Sequence, residues 1–240
     1  MEEAKTVQPL LADVEETVLR ANAERVLRTL EENRYQDNPP ARLIAVTKTV
    51  APSVINQLKG LGILEIGENR AQVALPKLPE IAPEFRLHWI GRLQTNKVKD
   101  IIDYVCMLHS LDRPELAREV DRRARQHGRV IPALVQVNIA GEEQKGGMKP
   151  EEVEGFLREM KHYPNIHVEG LMAIMPLGAS EEELDGLFAE MRKLIEQMRG
   201  LNIEGVEMRE LSMGMSNDYQ IAARNGATMV RVGTALYRRD

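Results

Sequence analysis

Cysteine is almost absent from this chain of 240 residues, which has only Cys106. One cysteine excludes an internal disulfide framework. Long apolar runs are absent too: no stretch of 18 or more apolar residues exists, and the N-terminus is acidic and unlike a secretion signal. A chain of this length buries enough surface to need no disulfide or metal. These absences predict a cytoplasmic protein without a membrane-spanning segment.

A strong excess of one charge is also missing. Lys and Arg number 32 against 37 Asp and Glu, which gives a net charge of −5, and the two signs are interspersed. Nucleic-acid-binding proteins usually show a basic patch or stripe. No histidine or cysteine set has metal-ligand spacing, and no G-x-G-x-x-G follows the first apolar segment. We therefore expect no nucleic-acid partner, no membrane partner and no metal, and the sequence argues against a dinucleotide site.

What is present is an alternation of short apolar segments with helix-like segments. Because helices separate the apolar segments and many of these look apolar on both faces, the pattern predicts a parallel sheet covered by helices. Eight such units in this length fit a closed (β/α)₈ barrel of TIM type better than an open sheet. The predicted strands span residues 42–47, 63–67, 87–91, 104–108, 131–137, 168–174, 207–213 and 228–232.

The predicted helices follow from apolar spacing and from start and stop residues. Ser180 and Glu183 form a capping-box pattern at one of them. Little room remains for a helix after the eighth strand, so we expect the N-terminal helix to cover that gap. The prediction is thus one domain over 1–240, with the barrel over 42–240 and helices over residues 9–33, 52–59, 113–127, 150–161, 180–199 and 217–225.

Lys48 comes directly after the first predicted strand, at the end of the barrel where such folds carry their chemistry. One interpretation is an ordinary lysine whose stem covers apolar surface while its amine reaches water. The other is an amine held out of water, with a lowered pKa, that can form a Schiff base. The residues alone leave both open.

Two small-residue turns, SMGMS and RVGTA, follow the seventh and eighth predicted strands. Their backbone N–H groups and the hydroxyls of Ser212, Ser216 and Thr234 would suit a phosphate, which barrels often bind at this place. Alternatively, Gly214 and Gly233 only permit tight turns. A lysine on the first strand opposite such a cup suggests pyridoxal phosphate (PLP) as the cofactor.

The chain resembles the pyridoxal phosphate homeostasis protein family from residue 42 onward. The resemblance implies a single barrel like that of alanine racemase (PLP fold type III), without a second β-domain, and a monomer. It also implies that PLP is held as a Schiff base on Lys48. The matching segments are LIAVTKTV, IGENRAQ, HWIGRLQTNK, HSLDRPELA, VQVNIAGEEQKGGM, GLMAIMP and LSMGMSNDYQIAARNGATMVRVGTALY. The end of the chain, TALYRRD, departs from the family, in which a glycine usually follows the aromatic residue.

The resemblance also implies that Ser212 on the seventh strand and the turn of Arg231, Gly233 and Thr234 contact the cofactor. An arginine at the pyridine nitrogen stays protonated, donates a hydrogen bond and makes the ring a poorer electron sink; the alternative is an ion pair at the barrel top. The full predicted set of cofactor-binding residues is Lys48, Asn69, His88, Met172, Ser212, Met213, Gly214, Met215, Ser216, Arg231, Gly233 and Thr234.

For several of these residues a structural role is the competing interpretation. Asn69 could cap a helix. His88 and His109 are expected to be hydrogen-bonded barrel residues, and Cys106 a small buried hydrophobic residue. The segment Glu142–Met148 looks like a polar loop at the barrel rim, for which the sequence offers no mechanism.

The predicted function is a carrier that binds PLP, buffers it and delivers it to PLP-dependent apo-enzymes, without catalytic residues. The alternative is a small PLP-dependent amino-acid racemase, which needs a second base opposite the lysine. Racemases of this fold take that base, a tyrosine, from a second domain of a partner subunit, and here only Tyr237 and Tyr219 lie near predicted strand ends. A third hypothesis is an aldolase without cofactor that uses Lys48.

Overall fold

The computed structural model describes residues 10–142, 144 and 146–238. Within them, eight parallel strands follow one another around a closed barrel, and the first strand is hydrogen-bonded to the last. The predicted fold class is therefore confirmed. The strands are β1 (Arg42–Val46), β2 (Glu65–Glu68), β3 (Arg86–Trp89), β4 (Val105–Leu111), β5 (Ile131–Val137), β6 (Ile166–Ala173), β7 (Val206–Ser212) and β8 (Met229–Val232).

The helices lie between the strands, as the apolar spacing predicted. Short 3₁₀ segments cover Leu75–Glu80, Thr95–Lys97 and Met160–His162. The capping box forms: Ser180 Oγ accepts the N–H of Glu183 at 3.2 Å, and the Glu183 carboxylate accepts the N–H of Ser180 at 2.8 Å. The helices are α1 (Glu16–Glu32), α2 (Pro52–Lys59), α3 (Ala71–Ala74), α4 (Val98–Ile101), α5 (Pro114–Gln126), α6 (Pro150–Glu159), α7 (Glu181–Gly200), α8 (Tyr219–Arg224) and α9 (Thr234–Tyr237).

Several predicted boundaries are wrong. β4 continues to Leu111 and β6 begins at Ile166, and α3 and α4 were not predicted because each has only four residues. α1 begins at Glu16, whereas the prediction began at residue 9, which lies outside the described residues. Residues 10–15 are not helical. Leu11 instead pairs with the segment after β1, through Leu11 N–H to Thr49 O (2.8 Å) and Ala51 N–H to Leu11 O (3.0 Å).

The N-terminal helix packs against the two helices that flank β8, where the last helix is short. α1 packs against α8 and α9, and it buries Leu19, Ala23 and Val26. Asn22 of α1 donates its side-chain N–H groups to the carbonyl oxygens of Leu236 (3.0 Å) and Arg238 (2.8 Å). The prediction that this helix fills the gap after β8 is therefore confirmed.

The inside of the barrel has layers. At its floor, where the strands begin, Arg42 is paired with Glu65 (3.0 Å) and Glu210 (2.7 Å). Above it lies an apolar layer of Ile44, Met107, Leu134, Met172 and Met229. Side chains alternate across a strand, so Arg42, Ile44 and Val46 share one face of β1, and Lys48 lies in the turn beyond its end. None of the helices in the described part of the chain is long and apolar enough to cross a membrane.

Candidate functional site

Lys48 lies in the turn that follows β1, at the carboxyl end of the barrel. Its neighbours are fixed by the backbone: Thr47 N–H donates to Gly67 O at 3.0 Å, and Val50 N–H donates to Thr47 O at 3.1 Å. The Lys48 side chain is exposed, and its amine has no hydrogen-bond or ion-pair partner among the described residues. Of the two interpretations that the sequence leaves open, this exposure agrees with an amine that reaches water.

A buried ion pair lies directly behind this turn. Lys77 donates to the Glu68 carboxylate at 2.5 Å and to the carbonyl of Thr47 at 2.8 Å, and the Thr47 hydroxyl donates to the same carboxylate at 2.7 Å. The side chains of Lys77 and Glu68 are 5% and 3% exposed. The pair therefore anchors the backbone one residue before Lys48. This ion pair was not predicted from the sequence. The one signal for it was Glu68, a charged residue at the end of an apolar strand.

Tyr237, a candidate second base for racemisation, is buried. Its hydroxyl has no hydrogen-bond partner among the described residues, and one oxygen of Glu68 is also unpaired. Burial, and to a lesser extent the charge of Glu68, raises the pKa of Tyr237 far above its usual value. A phenol that ionises with such difficulty is a poor base.

The two small-residue turns meet at the same mouth. Ser216 Oγ accepts the N–H groups of Gly233 (3.1 Å) and Ala235 (3.3 Å), so this hydroxyl ties the β7 turn to the start of α9. A Cβ at Gly233 would lie 3.2 Å from Cβ of Val46, which places the turn against the end of β1. Gly214 has φ +92°, and a Cβ there would lie 2.5 Å from Cβ of Ala222, so the turn requires glycine. The prediction that these turns lie beside the lysine strand agrees with the geometry.

Arg231 is buried below the mouth and is held by two hydrogen bonds. It donates to Ser212 Oγ at 2.7 Å and to the carbonyl of Ala173 at 2.8 Å. Burial lowers the pKa of Arg231 to about 10, against the opposing charge of Asp218, so the guanidinium remains protonated at neutral pH. Ser212 is itself fully buried beneath Arg231 and contacts His109 at 3.0 Å. Its hydroxyl therefore supports the arginine.

The two barrel histidines lie in contact with each other below Ser212. His88 Nδ1 is 2.9 Å from His109 Nε2, and both rings are buried. Burial, and then the charges of His88, Arg231 and Arg42, lower the pKa of His109 well below its usual value. Among the described residues, no group of three or more His, Cys, Asp and Glu side chains could hold a metal ion. Burial raises the pKa of the Cys106 thiol to about 11, which makes it a weak nucleophile.

The remaining predicted residues divide between the mouth and the core. Asn69 is half-buried at the end of β2, against Gly91, and Met215 and Thr234 are exposed at the two turns. Met172 lies deep in the apolar layer, and Met213 packs in the core between strands and helices. The structure thus brings Lys48 and Asn69 to the mouth with Gly214, Met215, Ser216, Gly233 and Thr234. It does not bring the side chains of His88, Met172, Ser212 and Met213 there.

A cavity of about 810 Å³ lies at the other end of the barrel. It is lined by Arg42 at the start of β1, by Val206 at the start of β7, by Thr228 just before β8, and by Arg34, Tyr35 and residues 38–41. None of the predicted cofactor-binding residues lines it. The cavity is therefore separate from the predicted cofactor site.

The neutral His109 predicts a pH dependence of stability. The unfolded chain binds a proton at this ring below about pH 6.5, while the folded chain does not until a lower pH. The free energy of unfolding should therefore be constant above that value and fall by up to about 1.4 kcal/mol per pH unit as the pH drops below it. Urea unfolding between pH 7 and 5 measures this slope, which should be smaller in His109→Asn. The exposed His162→Asn control should keep the wild-type slope, and equal slopes in all three proteins would contradict a neutral buried His109.

Comparison with known families gives one consistent result. The model of the alanine racemase N-terminal domain matches residues 17–239. The chain is 39% identical over 215 residues to the pyridoxal phosphate homeostasis protein of Aquifex aeolicus, across 89% of this chain and 93% of that protein. It is 38% identical over 204 residues to the protein of the same name from Synechocystis, across 83% and 91%.

Solved structures agree with this result. PipY of Synechococcus elongatus with PLP bound superposes with a TM-score of 0.80 at 32% identity, covering 90% of this chain and all of that one (100%). Alanine racemase of Corynebacterium glutamicum is similar in fold alone, with a TM-score of 0.74 at 16% identity. That match covers 97% of this chain but 64% of the racemase.

Proposed function

The chain belongs to the family of pyridoxal phosphate homeostasis proteins, and on that premise we propose that it binds PLP as a Schiff base on Lys48 and acts in PLP homeostasis. The observation that carries the proposal is the exposed amine of Lys48, which has no partner in the part of the chain that the structure describes, beside the two turns joined by Ser216. The residues fit the cofactor, because an amine suits its aldehyde and backbone N–H groups suit its phosphate.

Some of the predicted residues then have a defined task. The N–H groups of the β7 and β8 turns would hold the phosphate. Two of these groups, those of Gly233 and Ala235, point toward the Ser216 hydroxyl and donate to it. Arg231 is a buried donor that would meet the pyridine nitrogen and keep it unprotonated. Bound PLP supplies an electron-poor ring that stabilises negative charge next to the imine carbon. A permanently charged arginine at the nitrogen weakens that ability, which favours carriage over catalysis.

The racemase hypothesis is the second candidate, and its support is the shared fold. One observation counts against it: Tyr237, one of the two candidate bases, is buried and its pKa is strongly raised. If Lys48 is the one base at the mouth, proton exchange at an amino-acid α-carbon should be slow. The third hypothesis, an aldolase without cofactor, requires a nucleophilic amine and predicts no PLP uptake.

The test is titration of the purified chain with PLP, followed by an exchange assay. We expect a new absorbance band that saturates at one PLP per chain and is lost on borohydride reduction. With the loaded protein in D₂O, α-proton exchange of alanine or serine should be far below the typical enzyme rate of about 10 per second. Absence of PLP uptake contradicts the binding proposal, while exchange near that rate contradicts the carrier and supports the racemase.

Three further features belong to the proposal. We propose a single barrel domain that is monomeric, cytoplasmic, and able to transfer PLP to PLP-dependent apo-enzymes. The exposed position of Lys48 supports transfer, because an imine at the mouth can be reached by water or by an amine of an acceptor. At the rim beside β5, Gln136 donates to Gly146 O at 2.9 Å and Asn138 donates to Glu142 O at 2.9 Å.

A further inference from the structure

A continuous line of buried polar side chains crosses the barrel interior from Arg231 to Glu65 at the floor. We call it the relay: Arg231, Ser212, His109, His88 and Glu65. The distances are 2.7 Å from Arg231 Nη1 to Ser212 Oγ, 3.0 Å from Ser212 Oγ to His109 Nδ1, and 2.9 Å from His109 Nε2 to His88 Nδ1. The three central side chains are at most 1% exposed. No solvent can therefore complete their hydrogen bonds.

The donors available fix the direction of the relay. Arg231 can only donate, so Ser212 Oγ accepts from it and has its own proton left for His109 Nδ1. A neutral His109 then carries its proton on Nε2 and donates to His88 Nδ1. His88 Nδ1 is then an acceptor, so the proton of this ring is on Nε2. If His109 Nδ1 instead donated to Ser212 Oγ, the hydroxyl proton of Ser212 would have no acceptor within the relay.

The far end of the relay agrees with this direction. His88 Nε2 faces the Glu65 carboxylate at 3.6 Å and has no hydrogen-bond partner among the described residues. Burial would raise the pKa of Glu65, but His88, Arg42 and Arg86 together lower it, so the carboxylate is charged. A buried nitrogen that faces an anion at this distance requires an N–H and not a lone pair. A small rotation would close this last gap.

We propose that Ser212, His109 and His88 are positioning residues that form a one-way hydrogen-bond relay and hold Arg231 as a charged donor toward the ring nitrogen of PLP. The inference rests on the proposed function. It assigns a task to side chains that lie below the mouth and do not line it. Every donor in the relay points toward Glu65, so each oxygen or nitrogen lone pair faces the arginine. Aligned hydrogen bonds polarise one another and stabilise the guanidinium charge in a site without water.

The first test needs no cofactor. Nitrogen-15 NMR of the unliganded chain at pH 7 reports which ring nitrogen of each histidine is protonated. We expect both His88 and His109 to carry a proton on Nε2 and none on Nδ1. In Arg231→Met, Ser212 loses its donor and His109 should populate both tautomers. Protonation of either wild-type ring at Nδ1, or a cationic ring, would overturn the relay whether or not PLP binds.

The second test measures the effect on the cofactor. His109→Phe fills the space but cannot pass a hydrogen bond, so PLP affinity should fall about 10- to 100-fold and the absorbance maximum of the bound cofactor should move. If His109→Phe does not fold, Ser212→Ala takes its place, because it removes only one oxygen atom. It should change the PLP affinity and the absorbance maximum in the same direction. Met107→Leu, a volume-conserving change in the same interior, is the matched control and should leave both unchanged.

The outcomes separate the two claims. If the wild-type chain takes up no PLP, the proposed function fails, and the NMR result still decides the direction of the relay. If the wild-type chain binds PLP and both relay variants keep wild-type affinity and absorbance, the relay has no influence on the cofactor and the inference is wrong. An equal loss in Met107→Leu would attribute the effect to packing and would also overturn it.

Discussion

Lys48→Ala should abolish covalent attachment of PLP. In the wild-type chain, borohydride reduction after incubation with PLP should add the mass of one reduced pyridoxyl phosphate group, on the peptide that contains residue 48. The variant should gain no such mass, because no other amine is expected to lie beside the phosphate-binding turns. Its free energy of unfolding should remain near that of the wild type, since the side chain is exposed and makes no hydrogen bond or ion pair among the described residues.

The matched control is Lys97→Ala. Lys97 is another lysine near the rim, loosely paired with Asp100 at 3.5 Å, and the sequence gives it no place in the cofactor set. This variant should be labelled like the wild type. Intact-protein mass spectrometry with peptide mapping distinguishes the results. Labelling of Lys48→Ala at one specific other lysine would show that the assignment of the attachment site is wrong.

Lys77→Met should cause the largest loss of stability of any change near the site. It leaves Glu68 charged, buried and without its ammonium partner, which typically costs about 3–5 kcal/mol. It also removes the hydrogen bond to the Thr47 carbonyl, so the turn that carries Lys48 loses an anchor. Urea unfolding followed by circular dichroism measures the change. PLP binding should weaken too, because the amine is then less well positioned.

Two further variants make this prediction specific. The double variant Lys77→Met/Glu68→Leu removes both charges, and it should recover most of the lost stability, because a buried pair is often replaceable by apolar side chains. Lys59→Met breaks an exposed pair with Glu84 and should leave the unfolding midpoint unchanged. A double variant as unstable as Lys77→Met would mean that the loss comes from packing and not from an unpaired charge.

Much of the fold could be predicted, because it follows from periodicity. The alternation of apolar segments with helices determines a barrel, and the place of Lys48 directly after the first apolar segment puts it at the end where barrels carry their chemistry. The capping box at Ser180 was also legible, since its two hydrogen bonds are local in sequence. The exposure of the Lys48 side chain could not be predicted, because it depends on how far the turn projects beyond the strands.

The unpredicted contacts depend on register or on short irregular segments. Lys77 reaches Glu68 from a 3₁₀ segment that has no apolar period. His88 meets His109 across β3 and β4, where the pairing shifts between Leu87 and His88. A one-residue shift in pairing changes which side chains face each other, so no spacing in the sequence could have paired these rings.

The packing of α1 has a consequence for the order in which the chain folds. Asn22 is 214 residues from Leu236 and 216 residues from Arg238, whose carbonyl oxygens accept its side-chain hydrogen bonds. The apolar face of α1, with Leu19 and Val26, is therefore buried through contacts between segments that are far apart in the sequence. Because closing a long loop costs entropy before such contacts form, we expect α1 to dock late in folding.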